Sequence, residues 1–383
     1  MSVTTPKGFQ AAGTACGLKA TGKPDLALVI NNGPRYDAAG LFTSNRVKAA
    51  PVIWSEQVLT DGRLRAVILN SGGANACTGP EGFGDTHRTA EATAEALGIG
   101  AIDVAVCSTG LIGVRLDLDK IVEAVPTLVE DASDAGGPAA AEAIMTTDTV
   151  PKQAAYAGAG WTIGGMAKGA GMLAPGLATM LVVITTDAVV DQPQLREYLA
   201  EAGRVTFDRA DSDGCMSTND SVIVMANGAC GVAPDPAEFR AALTAVCADL
   251  ARQLIADAEG AAHEIEIVVR NAATEAEAVE VGRSVARSAL FKCAVFGNDP
   301  NWGRVLAAIG TTSAAFEPDR LDVSFNGIQV CRAGGIGDPR ELVDLTGRAV
   351  RVDIDLHAGT ETATVLTNDL TYDYVEENAE YSS

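Results

Sequence analysis

Residues 158–187 read GAGWTIGGMAKGAGMLAPGLATMLVVITTD. Six glycines fall between positions 158 and 171, more than a helix or strand interior accepts without a cost of roughly 0.5–1 kcal/mol each. Such density is expected where a backbone must approach a ligand or another backbone closely. Two phosphate-binding patterns fail on it. The P-loop needs its lysine after the glycine, whereas Lys168 precedes Gly169, and Gly158, Gly160 and Gly164 give G-x-G-x-x-x-G, one residue too long for the dinucleotide fingerprint. Next come Pro175, Ala178 and Thr179, then the apolar run MLVVIT at 180–185. Thr179 reads in two ways: as the first residue of a strand, or as a nucleophile at the rim of one. A threonine hydroxyl needs a base beside it, and its own α-amine, freed by cleavage of the preceding peptide bond, is one solution. That solution needs no histidine, which suits a chain with only His87, His263 and His357.

Outward from this stretch, short β-like runs recur at 26–30, 65–70, 104–109, 180–187, 221–228, 264–270, 321–330 and 351–356. Between several of them lie alanine-rich segments with helical spacing of apolar residues, at 86–97, 117–129, 191–202, 236–256 and 272–288. The alternation is too irregular for a doubly wound sheet, so the fold class expected is α+β, mixed α/β layers with sheets covered by helices. DASDAGGPAA at 131–140 reads as a surface loop, and residues 61–63 and 80–84 read as turns.

The chain has 383 residues, 47% hydrophobic, and a formal net charge of −22. An acidic surface repels phosphate backbones and anionic headgroups, so neither nucleic acid nor membrane is expected as a partner. No apolar stretch reaches the roughly 18–20 residues of a membrane span, and the start lacks a signal-like apolar segment. The expected compartment is the cytoplasm. The eight cysteines show no C-x-x-C spacing, so no metal site is expected, and most sit in small apolar contexts that suit buried free thiols. Between Lys120 and Arg196 the only basic residues are Lys152 and Lys168. A lone lysine in a Gly-rich apolar loop is poorly explained as a solvated charge, so Lys168 is expected to meet a substrate carboxylate, with Lys152 structural or peripheral.

Several separated segments together resemble the ornithine acetyltransferase (glutamate N-acetyltransferase) family of arginine biosynthesis. They are STGLIG at 108–113, AIMTTDTVPK at 143–152, MAKGAGMLAPGLATML at 166–181, STND at 217–220, DAEGAAHEIEI at 257–267, FGNDPNWGR at 296–304 and YVEENAEYSS at 374–383. The resemblance covers nearly the whole chain. It implies an N-terminal-nucleophile-like fold, matured by self-cleavage between Ala178 and Thr179 into an α chain (1–178) and a β chain (179–383) that stay together as an α2β2 heterotetramer. The two pieces carry net charges of −4 and −18. It implies further that Thr179 takes an acetyl group from N-acetylornithine and passes it to glutamate, while Thr109 and Gly110 form the oxyanion hole. Substrate-binding roles fall on Thr146, with Thr147 adjacent, and on Lys168, Thr179, Glu259, Asn378 and Ser383. No cofactor is implied, although some members also accept acetyl-coenzyme A as donor. The sequence departs from the family pattern at Ala258, His263 and Cys215, where Gly, Lys and an acid are common. Two rival readings are a threonine aminopeptidase or amidohydrolase of related mechanism, and a non-catalytic assembly protein.

Overall fold

The computed structural model describes residues 1–174 and 180–380, so Ala178, Thr179 and Ser383 lie outside the described residues. The chain divides into two compact units. The first comprises Met1–Asp208 with Cys215–Leu254, and the second Arg209–Gly214 with Ile255–Ser382.

In chain order the first unit carries β1 (Phe9–Thr14), β2 (Leu26–Asn31), β3 (Asp37–Phe42), α1 (Ala50–Val58), β4 (Ala66–Ser71), α2 (Gly79–Leu97), β5 (Val104–Thr109), α3 (Leu118–Glu130), α4 (Gly137–Ala143), β6 (Lys152–Ala157), β7 (Thr162–Lys168), β8 (Leu181–Thr186), α5 (Gln192–Val205), β9 (Ser221–Ala226) and nearly all of α6 (Pro236–Ala256). These strands form two sheets, ordered β1-β2-β4-β5 and β3-β9-β8-β7-β6. Strands β2, β4, β5, β8 and β9 are buried along their whole length. Side chains alternate across a strand, so burial on both faces demands a cover on each side. One face of each sheet supplies a shared core: Val29, Val67, Leu69 and Cys107 from the first, Met166, Leu181, Val183 and Ile223 from the second. The outer face of the first sheet packs Leu28, Ile68 and Val106 against Ala90 and Ala94 of α2 and Ile121 and Val125 of α3. Over the second sheet, the Phe239 ring of α6 packs at a tilt against Trp161 and against Tyr198 of α5. The result is a helix–sheet–sheet–helix sandwich, the layered α+β arrangement expected.

The glycine-rich stretch is a correction to the sequence reading, because Thr162–Lys168 is a strand despite Gly164 and Gly165. Strand pairing on both sides holds it, with Lys168 opposite Leu181 of β8 and Ala167 opposite Lys152 of β6. Gly164 is there for closeness, since a Cβ on it would stand 2.2 Å from the Ser2 carbonyl oxygen. The approach is to another backbone rather than to a ligand.

Other expectations shift in ways with physical causes. Residues 80–84 are not a turn but the first turns of α2, where Pro80 sits in the opening positions that tolerate a missing N–H. The loop expected at 131–140 gives way to α4 at Gly137, whose Ala140, Ala141 and Ala143 are buried. Cys107, Cys247 and Cys331 are buried as expected, but Cys77, Cys215 and Cys293 are exposed.

The second unit carries β10 (Glu264–Ala272), α7 (Glu275–Ala286), α8 (Ala289–Phe296), α9 (Trp302–Ile309), β11 (Asp322–Phe325), β12 (Ile328–Arg332), β13 (Gly335–Ile336), β14 (Ala349–Asp355), β15 (Glu361–Asn368) and α10 (Tyr372–Glu380). Its sheet runs β13-β12-β11-β14-β10-β15, with only the β10/β14 pair parallel. Ile265, Ile267 and Val269 face a core with Val281, Phe291, Val305 and Ile309 of the helices. The opposite face carries the charged Glu264, Glu266 and Arg270 around a buried Val268, and Glu266 accepts from Arg351 at 3.0 Å. The run at 321–330, read as one strand, is a hairpin: Asn326 and Gly327 both have positive φ, the geometry of a tight two-residue turn. Among the described residues no helix is long and apolar enough to cross a membrane.

Candidate active site

Strand alternation fixes where Lys168 points. Met166 contributes to the core between the two sheets, and Lys168, two residues on, faces the same way. It is 1% exposed. Its Nζ donates to the Thr146 hydroxyl at 2.7 Å and to the Thr109 hydroxyl at 3.3 Å. Three of the sequence-predicted residues, separated by up to 59 positions, therefore meet at one ammonium.

Thr109 ends β5, and its carbonyl accepts from both Gly72 and Gly73 N–H at 3.0 Å. Beyond this pair of hydrogen bonds the chain turns sharply at Gly110, whose φ is +127°. A Cβ there would lie 2.6 Å from the Gly73 nitrogen, so only glycine fits. The Gly110 N–H has no backbone acceptor among the described residues. Asn219 braces the same turn by donating to the carbonyls of Ala74 (2.6 Å) and Ser108 (2.8 Å). The STND segment thus supports the Thr109–Gly110 corner from β9.

Sequence reasoning missed Asp148. Its Oδ1 accepts from Lys152 Nζ at 2.6 Å and from the Gly169 N–H at 2.7 Å, while Oδ2 accepts from the Thr146 N–H at 2.9 Å and lies 3.9 Å from Lys168 Nζ. Burial pushes its carboxyl up, but the ammonium groups of Lys168 and Lys152 outweigh that and bring it down to about 2. Lys152, expected to be structural or peripheral, is 0% exposed and structural. An ammonium in this interior costs several kcal/mol unless compensated, and an acid four residues before Lys152 was the available signal. Thr147 is half-buried beside Thr146.

Glu259 and Asn378 are brought together within the second unit, where Asn378 Nδ2 donates to Glu259 Oε2 at 3.0 Å and to the Tyr374 carbonyl at 3.0 Å. The neighbouring Thr371 hydroxyl donates to the Gly260 carbonyl at 2.6 Å, tying the start of α10 to the Glu259 turn. His263 is buried, its Nδ1 2.7 Å from Asp369 Oδ2 and its Nε2 2.9 Å from the Leu345 carbonyl, so this departure from the family pattern is a structural link. Among the described residues no group of three or more His, Cys, Asp and Glu is disposed to hold a metal ion.

A buried ammonium, two hydroxyls and a bare N–H at a strained corner are the equipment of an acyl-transferring enzyme acting on an anionic substrate. The ArgJ family pattern matches residues 10–383. The chain is 63% identical to the arginine biosynthesis bifunctional protein ArgJ of Streptomyces coelicolor and 60% identical to that of Thermobifida fusca, in both cases over 100% of each chain. Among solved structures, ornithine acetyltransferase of Mycobacterium tuberculosis complexed with ornithine is 62% identical over 47% of this chain and 96% of that one, with a TM-score of 0.45. The chain belongs to the ArgJ family. It is an acyltransferase of arginine biosynthesis, and the aminopeptidase, amidohydrolase and non-catalytic readings fall away.

Proposed function

We propose that the enzyme moves an acetyl group from N-acetylornithine to glutamate through an acetyl ester on Thr179. Self-cleavage at Ala178–Thr179 frees the α-amine that serves as base. The Thr179 hydroxyl then attacks the acetyl carbonyl, ornithine leaves with the proton, and glutamate's amine takes the acetyl group in the second half-reaction. Thr109 and the Gly110 N–H hold the developing oxyanion, a contribution worth roughly 3–4 kcal/mol per donor. Lys168 pairs with the substrate α-carboxylate, assisted by Thr146 and Thr147. Glu259, Asn378 and Ser383 are assigned substrate-binding roles of their own, with Glu259 suited to an ammonium.

The convergence of Lys168 Nζ on the hydroxyls of Thr109 and Thr146, one residue from Gly110, carries this reading. The bound ornithine of the Mycobacterium tuberculosis relative supports the substrate class. No cofactor is needed for the cycle, and acetyl-coenzyme A serves as a second donor, in line with the bifunctional relatives. The working form is an α2β2 heterotetramer in the cytoplasm.

Intact-mass measurement of the purified protein tests the first step: two fragments are expected, one beginning at Thr179, and Thr179→Ala should leave a single chain without activity. Mixing N-acetylornithine with glutamate should give N-acetylglutamate and ornithine far faster than free acetate. Predominant acetate would sink the transferase cycle. Glutamate acetylation with acetyl-coenzyme A as sole donor tests the second activity.

A further inference from the structure

Lys19 is a half-buried cation to which the transfer cycle above gives no task. It closes a loop at 16–19 that Asp25 clamps: the Cys16 N–H donates to Asp25 Oδ1 at 2.6 Å, and the Gly17 and Lys19 N–H groups donate to Oδ2 at 3.1 and 2.9 Å. The clamped loop lies against the turn that holds the Thr109 carbonyl, since a Cβ on Gly72 would stand 3.2 Å from the Leu18 carbonyl carbon. The Lys19 ammonium donates to the carbonyls of Pro24 and Met145, both at 2.7 Å. An ammonium has three N–H groups to place. Among the described residues the third finds no acceptor, and no carboxylate pairs with Lys19. A cation drawn out of water without a counter-charge is costly, and where one persists it asks for a role.

Lys19 also stands close to the cluster at Lys168. Met145 immediately precedes Thr146, whose hydroxyl accepts from Lys168 Nζ at 2.7 Å. One peptide unit and one side chain separate the two hydrogen bonds, so the two ammonium nitrogens are at most about 11 Å apart by standard bond lengths and angles. In an extended glutamate the carboxyl carbons are about 5 Å apart. Each lies about 3.5 Å from an ammonium nitrogen that donates to it, so one glutamate spans up to about 12 Å between two cations. We propose that Lys19 binds the side-chain carboxylate of the glutamate acceptor and so sets the enzyme's choice of a dicarboxylate in the second half-reaction. The inference rests on the reading given above, in which Lys168 takes the α-carboxylate.

The local charges agree with this assignment. Asp148 lies 2.6 Å from Lys152 Nζ and 3.9 Å from Lys168 Nζ, so its one negative charge already serves two ammonium groups before Lys19 is counted. Burial brings the Lys19 ammonium below the usual lysine value, and Lys168 adds to that against the pull of Asp25 and Asp148. Two cations that press on one another are relieved by an anion between them. Ornithine carries one carboxylate and glutamate two, so a second cation discriminates between glutamate and the ornithine it replaces.

Lys19→Met keeps the length of the side chain and removes its charge. With N-acetylornithine as donor, two acceptors are compared: glutamate, and isotopically labelled ornithine in the exchange reaction. The ratio of kcat/KM for glutamate to that for ornithine should fall by on the order of tenfold to a hundredfold, the scale of one hydrogen bond between charged groups, with the change in KM for glutamate. Lys19→Arg should keep most of the parent ratio. An equal fall for both acceptors, as from a loosened loop, or an unchanged ratio would overturn the inference while leaving the transfer reading intact; a parent enzyme that moves no acetyl group to glutamate would overturn both. A second measurement does not depend on the variant folding. Glutarate, a five-carbon dicarboxylate, should compete with glutamate in the parent enzyme on the order of tenfold better than pentanoate, which has one carboxylate on the same chain. Equal competition by the two would overturn the assignment.

Discussion

Lys168 in the first unit and Glu259 in the second each have a proposed substrate contact, and their surroundings differ in burial and in the rigidity of what holds them. Lys168 lies on a strand paired on both sides, 1% exposed, with its ammonium between two hydroxyls. Glu259 is half-buried on a turn, and its described partner, Asn378, is an exposed residue of the last helix. A charge in a rigid, low-dielectric setting acts strongly on the reacting group and is little screened by salt. One near solvent contributes to binding weakly and adjustably. The buried centre should therefore govern turnover and the exposed pair should govern affinity.

Replacing Lys168 by Met should have the largest effect, lowering kcat/KM by on the order of a hundred- to a thousandfold, as for a truncated buried charge pair. The fold should survive, because Asp148 keeps Lys152 and the Gly169 N–H; steady-state kinetics with a melting curve separate the two. Thr109→Ala comes next, with kcat down about a hundredfold and KM little changed, as for a lost oxyanion donor.

Acid sensitivity belongs to the same centre. Asp148 is lowered from 3.8 to about 2 in the folded protein, so its stabilising contribution is fully present above pH about 4 and is lost as pH falls toward about 2, on the order of 2 kcal/mol at about 1.4 kcal/mol per unit. Denaturant titrations across that window should show the loss, and Asp148→Asn should flatten it.

At the exposed pair, Glu259→Gln should raise KM for N-acetylornithine about tenfold, the scale of one charge-assisted hydrogen bond, with kcat unchanged and a smaller penalty at high salt. Asn378→Ala should cost only a few-fold in KM, as for one neutral hydrogen bond. If Glu259→Gln depressed kcat more than Lys168→Met, the contrast between the two regions would be broken.

The sequence was legible where one force dominates. Apolar β-branched runs such as 104–109 and 221–226 are strands because both their faces are buried, and Lys168 stood out as a charge with no surface to explain it. The strand at Thr162–Lys168 was hidden because its glycines answer to a segment far away in sequence, the Ser2 carbonyl. Asp148 was hidden for a related reason. An acid inside a threonine-rich motif looks like solvent-facing polarity until the fold brings Lys168, twenty positions on, to within 3.9 Å. The candidacy of Thr109, Gly110, Glu259 and Asn378 came from the family motifs, since spacing alone would have singled out none of them.

The order of the five-stranded sheet has a consequence for a chain cut after residue 178. Strands β8 and β9 follow the cut, yet they lie between β3 on one side and β7 and β6 on the other, all of which precede it. Each fragment is thus flanked by the other through two separate ladders, from Asp37↔Ala226 to Phe42↔Ser221 and from Ile163↔Thr186 to Lys168↔Leu181. Separating such halves would require both ladders to open together, so their dissociation should be slow. Isotopically distinct preparations mixed after maturation would keep their original fragment pairings.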